Sequence, residues 1–305
     1  MRLGTRASRL ATTQSGAFGA LLRDATGRDV ELVEVTTQGD VSAEPLDRMG
    51  ATGVFVTALR EALLDGRIDL AVHSYKDLPT AAVPGLAVGA VPPREDPRDA
   101  LVARGGAALA TLPAGARVGT GSPRRAAQLR ALGLPLLVVP IRGNVDTRVR
   151  LVERGAVDAI VVARAGLARL GRLDLVTETL PTDVLLPAPA QGALAVECRA
   201  DDAELLALLG ALDHAPSRAV VEAERALLAT LEGGCSAPVA ALARRVDDGL
   251  ALEAAVAPPD GSRLLRMSAS GSLAEPARLG EELAAALLDA GAGALVRAAR
   301  RLDER

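Results

Sequence analysis

Up to about residue 200, short apolar runs closed by glycine, proline or polar turns alternate with longer segments whose apolar positions recur every three or four residues. The short runs predict strands at 1–5, 30–36, 70–72, 86–91, 100–103, 117–119, 136–140, 158–163 and 193–198. The longer segments predict helices at 8–22, 54–64, 122–132, 144–153 and 166–170, with Ser8 as a candidate N-cap. Strands alternating with helices imply parallel sheets joined by crossovers. Two Pro/Gly-rich stretches, Pro92–Pro97 and Leu185–Gly192, interrupt the pattern and read as crossings between two lobes. A strand at 193–198 then returns to the first lobe, an arrangement that makes a cleft able to open and close. From Asp201 the character changes: helices at 203–212 and 217–231, three strands at 239–245, 250–256 and 264–270 separated by tight turns, and helices at 275–288 and 293–302. The strands read as an antiparallel meander. The expected division is 1–92 with 193–210 as lobe 1, 93–192 as lobe 2, and 211–305 as an α+β domain. No internal repeat is visible.

Composition narrows the classes. Of the 305 residues 49% are hydrophobic but only 1% aromatic, so the cores must be built from Leu, Val and Ala. A net charge of −3 offers no global field for nucleic acid, and anion binding must come from local arginine clusters. The two cysteines, Cys198 and Cys235, are too few for a disulfide framework and match no metal spacing. The chain starts without an apolar signal core and has no run near the ~20 residues of a membrane span, so a soluble cytoplasmic protein is expected.

The candidate chemistry begins at Asp69–Thr80. A buried strand there ends in His73-Ser74-Tyr75-Lys76-Asp77, and polar residues at strand C-termini are where open α/β sheets place ligands. Among 35 Lys+Arg, Lys76 is the only lysine, and Tyr75 is the only tyrosine. The alternative is a structural Lys–Asp pair. The segment 37–53 is long, polar and glycine-punctuated, as functional loops often are. In lobe 2 three strand-to-helix turns carry arginines: Gly119–Arg125 with Ser122, Arg124 and Arg125; Ile141–Arg148 with Arg142, Arg148 and Asn144, the only asparagine; and Ala163–Arg169 with Arg164 and Arg169. Guanidiniums at helix N-termini imply a polyanionic ligand, phosphate or carboxylate. Neither nucleotide-binding glycine motif is present. Cys235, after Glu232-Gly-Gly, reads equally as structural or reactive, and nothing local supports Cys–His hydrolysis with His73 or His214.

Taken in order, Leu3-Gly-Thr-Arg-Ala-Ser-Arg-Leu-Ala, His73-Ser-Tyr-Lys-Asp-Leu-Pro, Gly119-Thr-Gly-Ser-Pro-Arg-Arg, Ile141-Arg-Gly-Asn-Val-Asp-Thr-Arg, Pro189-Ala-Gln-Gly-Ala and Leu231-Glu-Gly-Gly-Cys-Ser-Ala-Pro resemble the porphobilinogen deaminase (hydroxymethylbilane synthase) family. The resemblance implies two lobes with mainly parallel sheets, similar to periplasmic binding proteins, plus a C-terminal α+β domain with a three-stranded antiparallel sheet. It implies a transferase of tetrapyrrole and heme biosynthesis that joins four porphobilinogen molecules head to tail with loss of ammonia. The implied cofactor is a dipyrromethane held by a thioether to Cys235, and hydrolysis releases hydroxymethylbilane. Asp77 matches the catalytic carboxylate, which would hydrogen-bond pyrrole N–H groups and stabilise the cation left by ammonia. Lys76 matches a residue that binds a cofactor carboxylate. Arg6, Ser8, Thr120, Ser122, Arg124, Arg125, Arg142, Asn144, Arg148, Arg169 and Gln191 match positions around cofactor and substrate, Phe55 an aromatic against pyrrole rings, and 38–53 a mobile lid. The partner implied is porphobilinogen, with no nucleic acid, membrane or metal, and the state a monomer. The sequence departs from the family pattern at Arg48 and Thr52, near places where many members have lysine; at Pro123, where many have Leu; and at Arg164, often apolar. The alternative is a non-enzymatic two-lobe binding protein for a carboxylate ligand, which leaves Cys235 and the third domain without a use.

Overall fold

The computed structural model describes residues 1–35, 56–231 and 238–303. The loop expected at 38–53, Phe55 and Cys235 lie outside the described residues. The strands in chain order are β1 (Arg2–Thr5), β2 (Glu31–Glu34), β3 (Leu70–Ser74), β4 (Leu86–Ala90), β5 (Asp99–Ala103), β6 (Arg117–Thr120), β7 (Leu137–Pro140), β8 (Ala159–Ala163), β9 (Glu178–Thr179), β10 (Leu194–Arg199), β11 (Val239–Val246), β12 (Gly249–Val256) and β13 (Leu265–Ser272). The helices are α1 (Arg9–Thr26), α2 (Thr57–Leu64), α3 (Pro123–Ala131), α4 (Val145–Glu153), α5 (Arg164–Arg169), α6 (Ala203–Gly210), α7 (Ala215–Thr230), α8 (Pro276–Asp289) and α9 (Ala292–Asp303). They fall into two compact units, Met1–Glu95 with Ala193–Ala219, and Asp96–Gly192 with Val220–Arg305.

The first unit is built on a sheet of order β2-β1-β3-β10-β4. The period-two rule sorts its side chains. Leu70 and Val72 point to the face packed with Leu3, Phe18 and Leu22, whereas Ala71 meets Leu59, Ala62 and Leu63 of α2 on the other. Helix α1 starts where expected: Ser8 is extended and its side chain accepts from the Ala11 N–H, and Gly27 ends the helix in the left-handed region. The strand expected at 70–72 runs on to Ser74, because β10 pairs with it as far as Ser74↔Leu194.

The second unit repeats the plan. Its first sheet has the order β7-β6-β8-β5-β9. In each unit three strands run parallel through helical crossovers, β2-β1-β3 and β7-β6-β8. Beside them lies a strand that arrives through a crossing segment without a helix, β10 or β5, and both of these run antiparallel to their neighbours. A strand not fed by a helical crossover is free of the parallel requirement. The short edge strand β9 has no counterpart among the sequence expectations.

The C-terminal part of the second unit is the expected antiparallel meander, order β11-β12-β13. One face is covered by α7 and α8, with Leu227, Leu231, Leu252, Leu283 and Leu287 in a common core. On the other face Ala240, Leu242 and Ala255 pack on Leu186. Arg266 fastens the sheet there by donating to the carbonyls of Asp183 and Thr182, each at 2.8 Å. Helix α7 therefore ends, just before the segment carrying Cys235, on a fixed base.

The α7–α8 contact depends on Gly280. A Cβ there would lie 2.2 Å from the Ala223 carbonyl oxygen and 2.8 Å from the Leu227 nitrogen. Backbone cannot yield as a side chain does, so Gly280→Ala should destabilise the protein by about 1–3 kcal/mol. A thermal unfolding midpoint equal to that of the wild type would refute this close packing.

Candidate functional site

In the first unit the parallel strands β1 and β3 end at the same edge of the sheet and deliver Arg6, Ser8, Lys76 and Asp77 there. Tyr75–Asp77 forms a single 3₁₀ turn. Tyr75 and Leu78 on either side are buried, the Tyr75 N–H donates to the Ala193 carbonyl at 3.0 Å, and the Leu78 N–H closes the turn on Tyr75 at 3.2 Å. Between these anchors Lys76 is half-buried and Asp77 exposed. Gln14 of α1 and the Ser74 hydroxyl meet at 3.3 Å, tying the helix to the end of the strand. The Ser8 hydroxyl accepts the cap bond from Ala11, and a hydroxyl so used still has a proton to donate.

Behind that edge lies a charge cluster absent from the sequence reading. Glu197 on β10 accepts from Arg60 of α2 at Nε (3.0 Å) and Nη2 (2.7 Å). His73 Nε2 lies 3.1 Å from the second carboxylate oxygen, an ion-pair distance, although it has no acceptor in hydrogen-bonding alignment. Burial alone would raise the Glu197 pKa, but His73 and Arg60 prevail and hold it down to about 2. Cys198, next in sequence, is fully buried, and burial pushes its thiol up to about 11, which keeps it protonated and inert.

In the second unit β7, β6 and β8 are adjacent and parallel, so the three arginine-bearing turns stand side by side at one sheet edge. Gly121 brings the first two together: a Cβ at this position would lie 2.7 Å from the Ile141 carbonyl oxygen and 3.4 Å from Arg148 Nη2. Thr120 is buried and its hydroxyl accepts from the Ser122 N–H at 3.2 Å. Ser122 is the N-cap residue of α3 and is half-buried. In the next turn Asn144 caps α4, accepting from the Thr147 N–H at 2.9 Å. Arg142 is exposed, and Arg148 is braced by donating from Nε to the Gly143 carbonyl at 2.8 Å. In the third, Arg169 donates to the Gly192 carbonyl at 2.6 Å, and Arg164 lies 3.5 Å from Asp96.

Arg124 and Arg125 are buried. As a pair at the start of α3 they were expected to face an anionic ligand, yet their side chains are 3% and 5% exposed and both face Asp99, which is fully buried. Arg124 Nη2 reaches one carboxylate oxygen at 2.7 Å and Arg125 Nε the other at 2.9 Å. Gln191, also fully buried, donates to Asp99 at 2.9 Å and to the Pro97 carbonyl at 2.7 Å. Burial works to raise the Asp99 pKa, but the two guanidiniums bring it down to about 2; burial lowers that of Arg124 to about 10. Asp99 escaped the sequence reading because its partners are 25 and 26 residues away. The available signal was a carboxylate opening the otherwise apolar strand Asp99-Ala-Leu-Val-Ala103.

Comparison with known proteins gives the family. Residues 1–207 match the family model described as "Porphobilinogen deaminase, dipyromethane cofactor binding domain", and 219–289 match "Porphobilinogen deaminase, C-terminal domain". The porphobilinogen deaminase of Mycobacteroides abscessus is 57% identical over 305 residues, covering 97% of this chain and 99% of that one. That of Mycobacterium tuberculosis is 58% identical over 308 residues, covering 97% and 98%. Among solved structures, the methionine-binding protein MetQ matches at a TM-score of 0.43 and 15% identity, covering 70% of this chain and 89% of that one. At that score the likeness adds nothing to the strands and helices described above. No helix among the described residues is long and apolar enough to cross a membrane.

The Asp99 cluster has a defined cost of disruption. Asp99→Asn leaves two buried guanidiniums without their counter-charge and should destabilise the fold by about 3–5 kcal/mol. Because the folded pKa lies below the ordinary 3.8, the stability Asp99 contributes is fully present above about pH 4 and is lost as the pH falls towards 2. Acid unfolding of wild type and variant, followed by circular dichroism, checks both statements; curves that coincide from pH 7 to 2 would contradict them.

Proposed function

The chain belongs to the porphobilinogen deaminase family, and on that premise we propose which of its residues carry the family's reaction. The enzyme joins four porphobilinogen molecules head to tail on a dipyrromethane primer and then hydrolyses the product, hydroxymethylbilane, from it. Each addition forms one carbon–carbon bond, breaks the carbon–nitrogen bond to the departing ammonia, and releases the proton of the pyrrole carbon that is attacked. When bound, the primer supplies the nucleophilic pyrrole carbon at which the first unit adds.

The donor set suits such a group. Each of its two pyrroles carries an acetate and a propionate, and each unit by itself offers cations suited to such carboxylates at its own sheet edge: Arg6 and Lys76 in the first, Arg142 and Arg148 in the second. Gly121, having no side chain, lets its turn lie against the Ile141 carbonyl and the Arg148 guanidinium. Arg142 and Arg148 offer planar forks for carboxylates, while Lys76 offers a compact charge. Arg124, Arg125 and Gln191 serve through Asp99, by fixing the turn that ends in Ser122. Arg169 serves in the same way, by holding the Gln191–Gly192 segment. Thr120, Ser122, Ser8 and Asn144 shape the turns that present the cations. Cys235 is the attachment point and Phe55 the ring-stacking residue; both roles are read from their family positions. The protein acts as a cytoplasmic monomer.

Asp77 carries the chemistry in this reading. The supporting observation is its placement: an exposed carboxylate on a one-turn 3₁₀ element, locked between buried Tyr75 and Leu78 and adjacent to the only lysine. A carboxylate fixed there can accept pyrrole N–H bonds, stabilise the positive charge that grows on the substrate as ammonia leaves, and take up the pyrrole proton. A merely binding protein would need none of these steps, and the family match extends into the C-terminal part.

Two measurements test the assignment. The intact mass of the purified protein should exceed the sequence mass by two porphobilinogens less two ammonias, and Cys235→Ser should remove the excess. An unmodified wild-type mass that stays unchanged on incubation with porphobilinogen would overturn the attachment. Asp77→Asn should retain the excess mass while kcat falls by about 10²–10⁴. A variant turning over at the wild-type rate would remove Asp77 from the chemistry.

A further inference from the structure

The cluster of Arg60, Glu197 and His73 has no part in the steps above, yet its side chains are largely enclosed, at 12%, 4% and 4% exposure. Its members come from three elements. In the β10–β3 register Ala195 lies opposite His73 and Glu197 opposite Ala71, so Glu197 and His73 are diagonal neighbours on one sheet face. That face is covered by α2, whose Leu59, Ala62 and Leu63 pack on Ala71 and Ile68 and set Arg60 over the carboxylate. The two nitrogens of Arg60 fix Glu197 at two points, which determines direction as well as distance.

Stability alone does not explain this choice. Buried ion pairs are commonly replaceable by apolar groups of similar volume at no loss, because desolvation offsets their attraction. The surrounding face is already held by leucines and by the backbone ladder that runs from Cys198↔Leu70 to Leu194↔Ser74. What the polar cluster adds is a unique arrangement of α2, β10 and the end of β3. From His73 the chain has one residue tied to Gln14, then Tyr75 on the Ala193 carbonyl, and then Lys76 and Asp77. A small rotation at His73 is therefore passed along a short, rigid path to the Asp77 carboxylate.

We propose that Arg60, Glu197 and His73 form a positioning cluster that sets the orientation of the 3₁₀ turn bearing Asp77. The inference rests on the reading of Asp77 as the carboxylate that serves the reaction. Displacing that group by a fraction of an ångström weakens charge stabilisation in the transition state while leaving substrate carboxylates bound elsewhere.

The test compares Arg60→Met/Glu197→Gln, which removes both charges of the pair together, with His73→Gln, which leaves the pair intact, and with Asp77→Asn, all as primer-loaded enzymes. Intact mass establishes loading and thermal unfolding establishes the fold. The double variant should load fully and melt within a few degrees of wild type, with kcat lowered about tenfold and KM changed by less than about twofold. His73→Gln should show the same split, and it decides the matter if the double variant fails to fold. Wild-type kcat in a folded, loaded variant would overturn the positioning role, as would kcat and KM changing only in step with a lowered melting point. Wild-type turnover in Asp77→Asn would instead overturn the reading of Asp77, so the two failures are distinguishable.

Discussion

A carboxylate with no exposed surface can remain ionised at the start of an apolar strand only if charge of the opposite sign is brought to it, and Asp99 makes this demand on the whole second unit. The demand is met by Arg124 and Arg125 from the first turn of α3, and by Gln191 from the returning crossing segment. Those contacts fix several distances at once. Helix α3 is held down at its N-terminus, and Gly121 just before it is thereby seated against Ile141. Arg124 also donates to the Leu186 carbonyl, and Gln128, one turn later, binds both the carbonyl and the N–H of Leu186. Leu186 is the residue on which the C-terminal sheet packs. One buried charge thus sets the turn that presents cations and the base on which the C-terminal sheet sits.

Much of this was readable from the chain. The strands and helices obey local rules: the two-residue alternation of Leu70-Ala71-Val72 and the caps at Ser8 and Asn144 need no tertiary information. The edge positions of Lys76, Asp77, Arg142 and Arg148 were equally legible, since a polar cluster after an apolar strand must emerge at a sheet edge. What the sequence hid was which arginines turn inward. Arg124 and Arg125 occupy a helix start just as Arg142 nearly does, and the composition of the turn does not separate them. The difference is Asp99, distant in sequence and adjacent only once β5 is inserted beside β8. The antiparallel direction of β5 and β10 was hidden for the same reason, because it follows from the crossing segments and not from any pattern within the strands.

The two units also share a device. Each has one strand that enters antiparallel next to the third parallel strand, and in each that strand carries a buried acid. Asp99 of β5 is answered by cations from a helix start, and Glu197 of β10 by Arg60 from a helix and His73 from the neighbouring strand. Both acids are kept ionised down to about pH 2 against the effect of burial.

An inserted strand lacks the covalent helical crossover that sets the spacing of its parallel neighbours, so its position in the sheet must be specified by side chains. Apolar packing alone would tolerate a slip or tilt, since leucine and valine surfaces offer many contacts of similar energy. A buried carboxylate does not tolerate it, because any displacement leaves a charge unpaired at a cost of several kcal/mol. The acids therefore act as registration points, and each stands next to the strand or helix start that leads into the residues assigned to chemistry. The protein places its most costly interactions where a small error of position would do the most harm.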